Sequence, residues 1–165
     1  AFYGVPLLSN KDGLHTNAIF GFINIMLKAL EDESAGYIVV AFDLKAPTFR
    51  HEMYAEYKGT RKGMPDELRE QVPVMKEVLA AMKIPVVTME GYEADDILGT
   101  LAKRCQSSGF DVAVLSGDRD LLQLADEHIK IRLPKTIKGK TEIENYDINK
   151  ILENNALNYF KMIKK

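Results

Sequence analysis

The stretch IPVVTMEGYEADDILGTLAKRC, residues 84–105, decides the reading of this chain. It opens on a short apolar run, 84–89, and turns at Gly91. It then passes into a segment, from about Tyr92 to Ser107, with Leu98, Leu101 and Ala102 at helical spacing and Gly109 as its stop. A strand followed at once by a helix is the repeating unit of an α/β domain. The pattern recurs on both sides. YIVVAFD, 37–43, is too uniformly apolar for a half-exposed strand and predicts a buried parallel one. DVAVLS, 111–116, leads into GDRD and a short helix over 119–125. A helix from about Thr16 carries Ile19, Phe22, Ile23, Met26, Leu27 and Leu30 on one face. Another, 67–82, carries Leu68, Val72, Met75, Leu79 and Met82, with Pro73 kinking it or marking its true start. HIKIRL, 128–133, alternates as a strand, IKGK reads as a hairpin turn, and 147–154 as a last helix. The fold class is therefore α/β, a mainly parallel central sheet flanked by helices. SNKDG, 9–13, reads as a turn, and residues 1–8, with Pro6 inside them, make a poor strand. A doubly wound sheet normally opens with a strand, so either the sheet is unusual or the chain starts late.

At 165 residues the chain reads as one domain, or one with an appendage, with an ordinary hydrophobic fraction of 46%. Its single cysteine, Cys105, excludes an internal disulfide, fits a reducing compartment and reads as a small core residue of its helix. No signal peptide and no apolar run long enough for a membrane span are visible. The net charge is only −2, but it is segregated. Residues 88–127 carry nine acids and three bases, whereas 44–64 carry Lys45, Arg50, Lys58, Arg61 and Lys62 against Glu52 and Glu56. An acidic centre flanked by basic stretches suits a metal-dependent enzyme acting on a polyanion. The alternative is that these charges decorate solvated faces.

The acids stand where the expected strands run out: Asp43, then Glu93, Asp95 and Asp96, then Asp118 with Asp120 behind it. In open α/β sheets the functional crevice lies at the carboxyl ends of the strands. Carboxylates crowded there need a cation, and a hard divalent ion such as Mg²⁺ or Mn²⁺ prefers oxygen ligands. On a helix Glu93 and Asp96 share a face, with Asp95 about 100° from Asp96. Acids in a first helical turn also answer the helix dipole, and Gly-Asp after a strand is common turn chemistry. Those readings account for one or two of these residues more readily than for all of them. The segment 48–63 interleaves cations with Phe49, Tyr54 and Tyr57, a pattern that can hold phosphates and stack bases. Residues 44–65 have no clean period and read as a loop with some helix over the strand ends, and the part from about Phe49 to Pro65 is expected to be the least ordered of the domain without DNA. His15, His51 and His128 have no metal-ligand spacing and read as structural or exposed.

FDLKAPTFRHEMYAEYKGTRK, GYEADDILGTLA and SGDRDLLQL, in this order and after the opening AFYGVPLLSNKDGLHTNAIFGF, resemble a known family. It is the 5′-nuclease (5′-3′ exonuclease/flap endonuclease, PIN-like) domain of bacterial DNA polymerase I, matched over residues 1–150. The resemblance implies phosphodiester hydrolysis in DNA replication and repair with two divalent metals, Mg²⁺ or Mn²⁺. It implies catalytic and metal-holding roles for Asp43, Glu93, Asp95, Asp96, Asp118 and Asp120. Arg50, Tyr57, Lys58 and Arg61, with Lys62 beside them, would form an arch-like DNA-binding segment within 44–65. The implied partners are DNA with a 5′ flap, nick or RNA primer and a covalently linked polymerase domain, in the bacterial cytoplasm at the nucleoid and without a membrane.

The family opens with a strand ending in Asp-Gly, whose place is upstream of Ala1. Its later acidic segment and helix-hairpin-helix clamp have no counterpart here, and the tail 151–165 does not follow the family pattern. The expectation is the body of a nuclease domain with weak or no turnover of its own. Two other readings stand beside it: a non-catalytic nucleic-acid-binding fragment, and a PIN-type ribonuclease, against which the long basic segment argues.

Overall fold

The computed structural model describes residues 2–54, 56–57, 59, 63–137 and 140–153. The chain divides into two compact units, Ala1–Ile97 and Leu98–Lys165.

In the first unit a 3-10 turn, Phe2–Gly4, precedes α1, Asn17–Glu33. Between them Asn10 closes the expected turn, its side-chain oxygen accepting the Asp12 and Leu14 N–H groups at 3.0 and 2.9 Å. The strand β1, Val40–Ala41, pairs in parallel with β2, Val86–Val87. Three helices intervene: α2, Phe49–Met53, α3, Asp66–Arg69, and α4, Gln71–Ala81. The single helix expected over 67–82 is thus broken at Glu70, and Pro73 lies in the first turn of α4, where its missing N–H costs nothing. The core is Met26, Leu79 and Ile84, with Phe22, Ile23, Leu30, Ile38, Val40, Phe42 and Val86 against it.

Two expectations are corrected here. Residues 37–42 are not a buried strand: only two residues pair, both half-buried, and Tyr37 and Val39 are exposed. Among the described residues β1 pairs with β2 alone; Ile38, Val40 and Phe42 face the core and Tyr37 and Val39 face outward. Leu27 is likewise exposed, because the packed stripe of α1 runs through Phe22, Ile23, Met26 and Leu30.

The start of α1 is capped from a distance. Thr16 makes no side-chain cap. Instead the fully buried Gln71, at the start of α4, accepts the Ala18 and Ile19 N–H groups through Oε1 at 2.7 and 3.3 Å. Its Nε2 donates to Asn17 Oδ1 at 3.1 Å and to the Glu67 carbonyl at 2.6 Å. Asn17, also buried, donates to the Phe2 carbonyl at 3.1 Å. One amide thereby satisfies orphan donors that the helix cannot satisfy itself.

In the second unit β3, Val112–Leu115, pairs in parallel with β4, Ile129–Ile137, which pairs antiparallel with β5, Lys140–Tyr146. The register Ile137↔Lys140 agrees with the expected hairpin; residues 138 and 139 lie outside the described residues. The hairpin implies the returning strand β5, but its extent is not legible, since KTEIENY shows little apolar alternation. Ile129, Ile131 and Leu133 from β4 build the core with Ala102, Val114, Leu121, Ala125 and Tyr146. Residues 148–153 are helical; of the tail 151–165, residues 154–165 lie outside the described residues. The helix α5, Ala94–Ser107, begins in the first unit and ends in the second. Cys105 is exposed, not core: burial on α5 ends with Ala102, and the last turn runs past the packed side chains.

Across the hairpin Glu144 pairs with Lys135 and, at 3.1 Å, with Lys150. The hydrogen bond from Lys135, then that from Lys150, lowers the Glu144 carboxyl to about 2. A depressed carboxylate stabilises the fold fully above its unfolded value near 4.5, and that contribution is lost as pH falls through about 2. Unfolding midpoints measured across this window should therefore fall more steeply for the wild type than for Glu144→Gln. Parallel profiles would remove the pair from the stability account.

Candidate metal and nucleic-acid site

Asp43 lies two residues past the end of β1, after Phe42, whose N–H still donates to the Val87 carbonyl at 3.0 Å. Its Oδ1 accepts the Ala94 N–H at 2.7 Å, which places a carboxylate on the first residue of α5. Asp96, in the first turn of α5, reaches back with Oδ2 to accept the Glu93 N–H at 3.0 Å, the returning half of a capping box. Two of the four acids here therefore answer the orphan donors and positive dipole of one helix start.

The basic residue of the site is delivered by α2. Thr48 precedes this helix, and His51 on its first turn accepts the Thr48 backbone N–H on Nδ1 at 3.1 Å. The Phe49 N–H donates to the Gly91 carbonyl at 3.0 Å, and Thr48 and Gly91 form an isolated parallel bridge. Gly91 holds φ +81°, a left-handed backbone that would strain any side chain, so the turn entering α5 and the start of α2 are tied where only glycine is comfortable. From there Arg50 forks onto Asp96, with Nη1 to Oδ2 at 2.6 Å and Nη2 to Oδ1 at 2.7 Å, while Glu93 Oε2 stands 4.0 Å away. The hydrogen bonds to Asp96 hold the guanidinium still more firmly protonated than usual. Tyr57 donates its hydroxyl to Glu93 Oε2 at 3.3 Å, and its ring meets His51 edge-on at 5.3 Å. The Arg50 guanidinium lies 4.6 Å over the Phe49 ring, which packs against Tyr92 at 5.6 Å.

Asp43, Glu93, Asp96, Arg50 and Tyr57 are thus gathered at the start of α5, with Asp95 half-buried in its first turn. Asp118 and Asp120 belong to the second unit and are exposed; Asp118 Oδ1 accepts the Asp120 N–H at 2.9 Å and caps the 3-10 turn Arg119–Leu124. Lys58, Arg61 and Lys62 lie outside the described residues, as do residues 55 and 60; of the segment 49–65, Phe49–Met53 forms α2. Tyr92 was missed by sequence reasoning. Its only signal was an aromatic residue inside GYEADD that the helical spacing did not need. His51 and His15 are structural, His15 donating its N–H to Glu70 Oε1 at 3.0 Å.

The donor set is carboxylate oxygen, the chemistry a hard divalent cation prefers. Its present arrangement does not fit one: both oxygens of Asp96 face the Arg50 guanidinium, and Asp43 Oδ1 faces an N–H. Among the described residues no three His, Cys, Asp or Glu side chains are grouped so as to hold a metal ion.

Residues 1–155 match the family described as 5′-3′ exonuclease, N-terminal resolvase-like domain, and the chain belongs to that family. Its relatives are DNA polymerases I: it is 48% identical over 157 residues to that of Bacillus caldotenax and, over the same length, 48% to that of Bacillus subtilis (strain 168). In both cases 95% of this chain is aligned with 18% of the relative, so the chain spans less than a fifth of the proteins it matches. The T5 5′-exonuclease with bound divalent zinc ions superposes with a TM-score of 0.63 at 20% identity, over 82% of this chain and 51% of that one. A T5 flap endonuclease in a pseudo-enzyme-product complex with DNA and metal ions gives 0.61 at 20% identity, over 82% and 52%. These likenesses establish the α/β resolvase-like fold. No helix among the described residues is long and apolar enough to cross a membrane.

Proposed function

We propose that the chain is the body of the 5′-3′ exonuclease/flap endonuclease domain of a DNA polymerase I, hydrolysing phosphodiester bonds in DNA with Mg²⁺ or Mn²⁺. The observation that carries this reading is the family match over residues 1–155, with Asp43, Glu93, Asp96 and Arg50 gathered at one helix start. Asp43, Glu93, Asp95, Asp96, Asp118 and Asp120 are the candidate metal-holding and catalytic residues. Such ions would neutralise the scissile phosphate and lower the pKa of an attacking water. Arg50, Tyr57, Lys58, Arg61 and Lys62 are the candidate contacts to DNA, cations for phosphate and the ring for a base or sugar. The proposed substrates are DNA with a 5′ flap, a nick or an RNA primer, and the proposed setting is the bacterial nucleoid beside a linked polymerase domain.

A second reading, nucleic-acid binding without turnover, is favoured by one observation: among the described residues no three carboxylates are grouped so as to hold a metal ion. Incubating residues 1–165 with a 5′-flap DNA, a nicked duplex and single-stranded RNA, in Mg²⁺ and in EDTA, separates the readings. EDTA-sensitive cleavage of the flap supports the nuclease. Retention of DNA without cleavage, weakening with salt at a log–log slope near −3 to −4 for about four phosphate contacts, supports the binding fragment. Cleavage of the RNA alone would overturn both.

A further inference from the structure

We propose that Arg50 is a latch on the candidate metal centre: it stands where the cation would bind, so Asp96 exchanges the guanidinium for a divalent ion instead of holding both. The inference rests on the proposed metal role of these carboxylates and deepens it.

Three observations carry it. First, the fork is complete: Asp96 Oδ1 accepts Nη2 at 2.7 Å and Oδ2 accepts Nη1 at 2.6 Å, while Oδ2 also accepts the Glu93 N–H at 3.0 Å. A bidentate guanidinium takes the oxygen lone pairs that a hard cation would need. Second, the same guanidinium stands 4.0 Å from Glu93 Oε2, so it serves two of the carboxylates proposed as ligands. A second positive charge brought to these carboxylates would be repelled by the Arg50 guanidinium, since like charges at close range disfavour one another. Third, Arg50 does not need to be where it is in order to fold α2. The helix start is fixed by Thr48, His51 and the Gly91 carbonyl, and Arg50 remains a third exposed, on a helix of five residues that can release one side chain.

The latch accounts for an oxygen donor set suited to Mg²⁺ or Mn²⁺ in which both oxygens of Asp96 are already taken by a guanidinium. It also gives Arg50 a second position. Once displaced, its guanidinium becomes available to an anion such as a phosphate group. By linkage, whatever binds the released guanidinium then tightens the cation, and the reverse.

The test is Mn²⁺ binding to the 165-residue chain by calorimetry, with no nucleic acid and no activity measured, in the wild type and in Arg50→Gln, Arg50→Lys and Asp96→Asn. Melting curves confirm that each variant is folded. We expect Arg50→Gln to bind Mn²⁺ on the order of ten-fold more tightly than the wild type. Arg50→Lys, a single charge without the fork, should fall between the two. In the double variant with Asp96→Asn the gain should disappear. Equal affinity in wild type and Arg50→Gln, with Asp96→Asn still weakening both, would overturn the latch and leave the metal reading standing. No Mn²⁺ binding at millimolar concentration by either wild type or Arg50→Gln would overturn the metal reading and the latch together. An Arg50→Gln chain that melts lower yet binds Mn²⁺ no better would reduce the fork to a structural tie.

Discussion

Replacing Gln71 by leucine will destabilise the chain by about 2–4 kcal/mol, the cost of leaving two or more buried polar groups without partners. The side chain is fully buried and makes four hydrogen bonds, two of them to the Ala18 and Ile19 N–H groups at the start of α1. Leucine fills nearly the same volume, so the loss is polar and not a cavity. Ala18 and Asn17 are buried, and water cannot take over the vacated bonds without opening the packing. Gln71→Glu should cost less near neutral pH. It keeps the acceptor and sets a negative charge at a helix N-terminus, though it loses both donors. Urea denaturation at constant m-value measures the difference. A leucine variant within about 0.5 kcal/mol of the wild type, the range of ordinary surface changes, would show that α1 is capped in some other way.

Asp43→Asn separates the structural from the chemical role of that residue, and its expected effect on activity is the largest of all. Asparagine keeps a side-chain oxygen that can accept the Ala94 N–H, now met at 2.7 Å, and removes only the charge. Stability should therefore change by less than about 1 kcal/mol, the typical worth of a whole N-cap. Where EDTA-sensitive flap cleavage is measurable, it should fall by about 10² or more, the scale of losing one group that stabilises transition-state charge. Full cleavage by Asp43→Asn would remove Asp43 from the proposed metal centre. A loss of stability as large as that of Gln71→Leu would instead make Asp43 a structural cap.

How much of this was legible in the sequence depended on the range of the interaction. Helices α1 and α5 were readable because their apolar residues repeat along the chain itself. The break at Glu70 was half-readable: Pro73 announced a boundary but not its place. The strands β1 and β2 proved much shorter than their apolar runs, since a strand ends where its partner's ladder ends, and no single run carries that information. Leu27 and Cys105 were assigned to cores on spacing alone. Spacing says which residues share a face, not how far a neighbour covers it.

For the site, the sequence by itself determined the inventory: acids after apolar runs, a basic aromatic segment between them, and a family whose match extends over residues 1–155. These are statements about residue types in order, and the chain's own pattern carries them. Only the tertiary structure decided the pairings. That Asp43 caps α5, that Gln71 caps α1 from 53 residues away, and that Arg50 occupies both oxygens of Asp96 are contacts between segments distant along the chain. A carboxylate at a helix start can serve the backbone, a guanidinium or a cation. Which one it serves is settled by what the fold brings within about 3 Å of it, the distance at which a hydrogen bond forms.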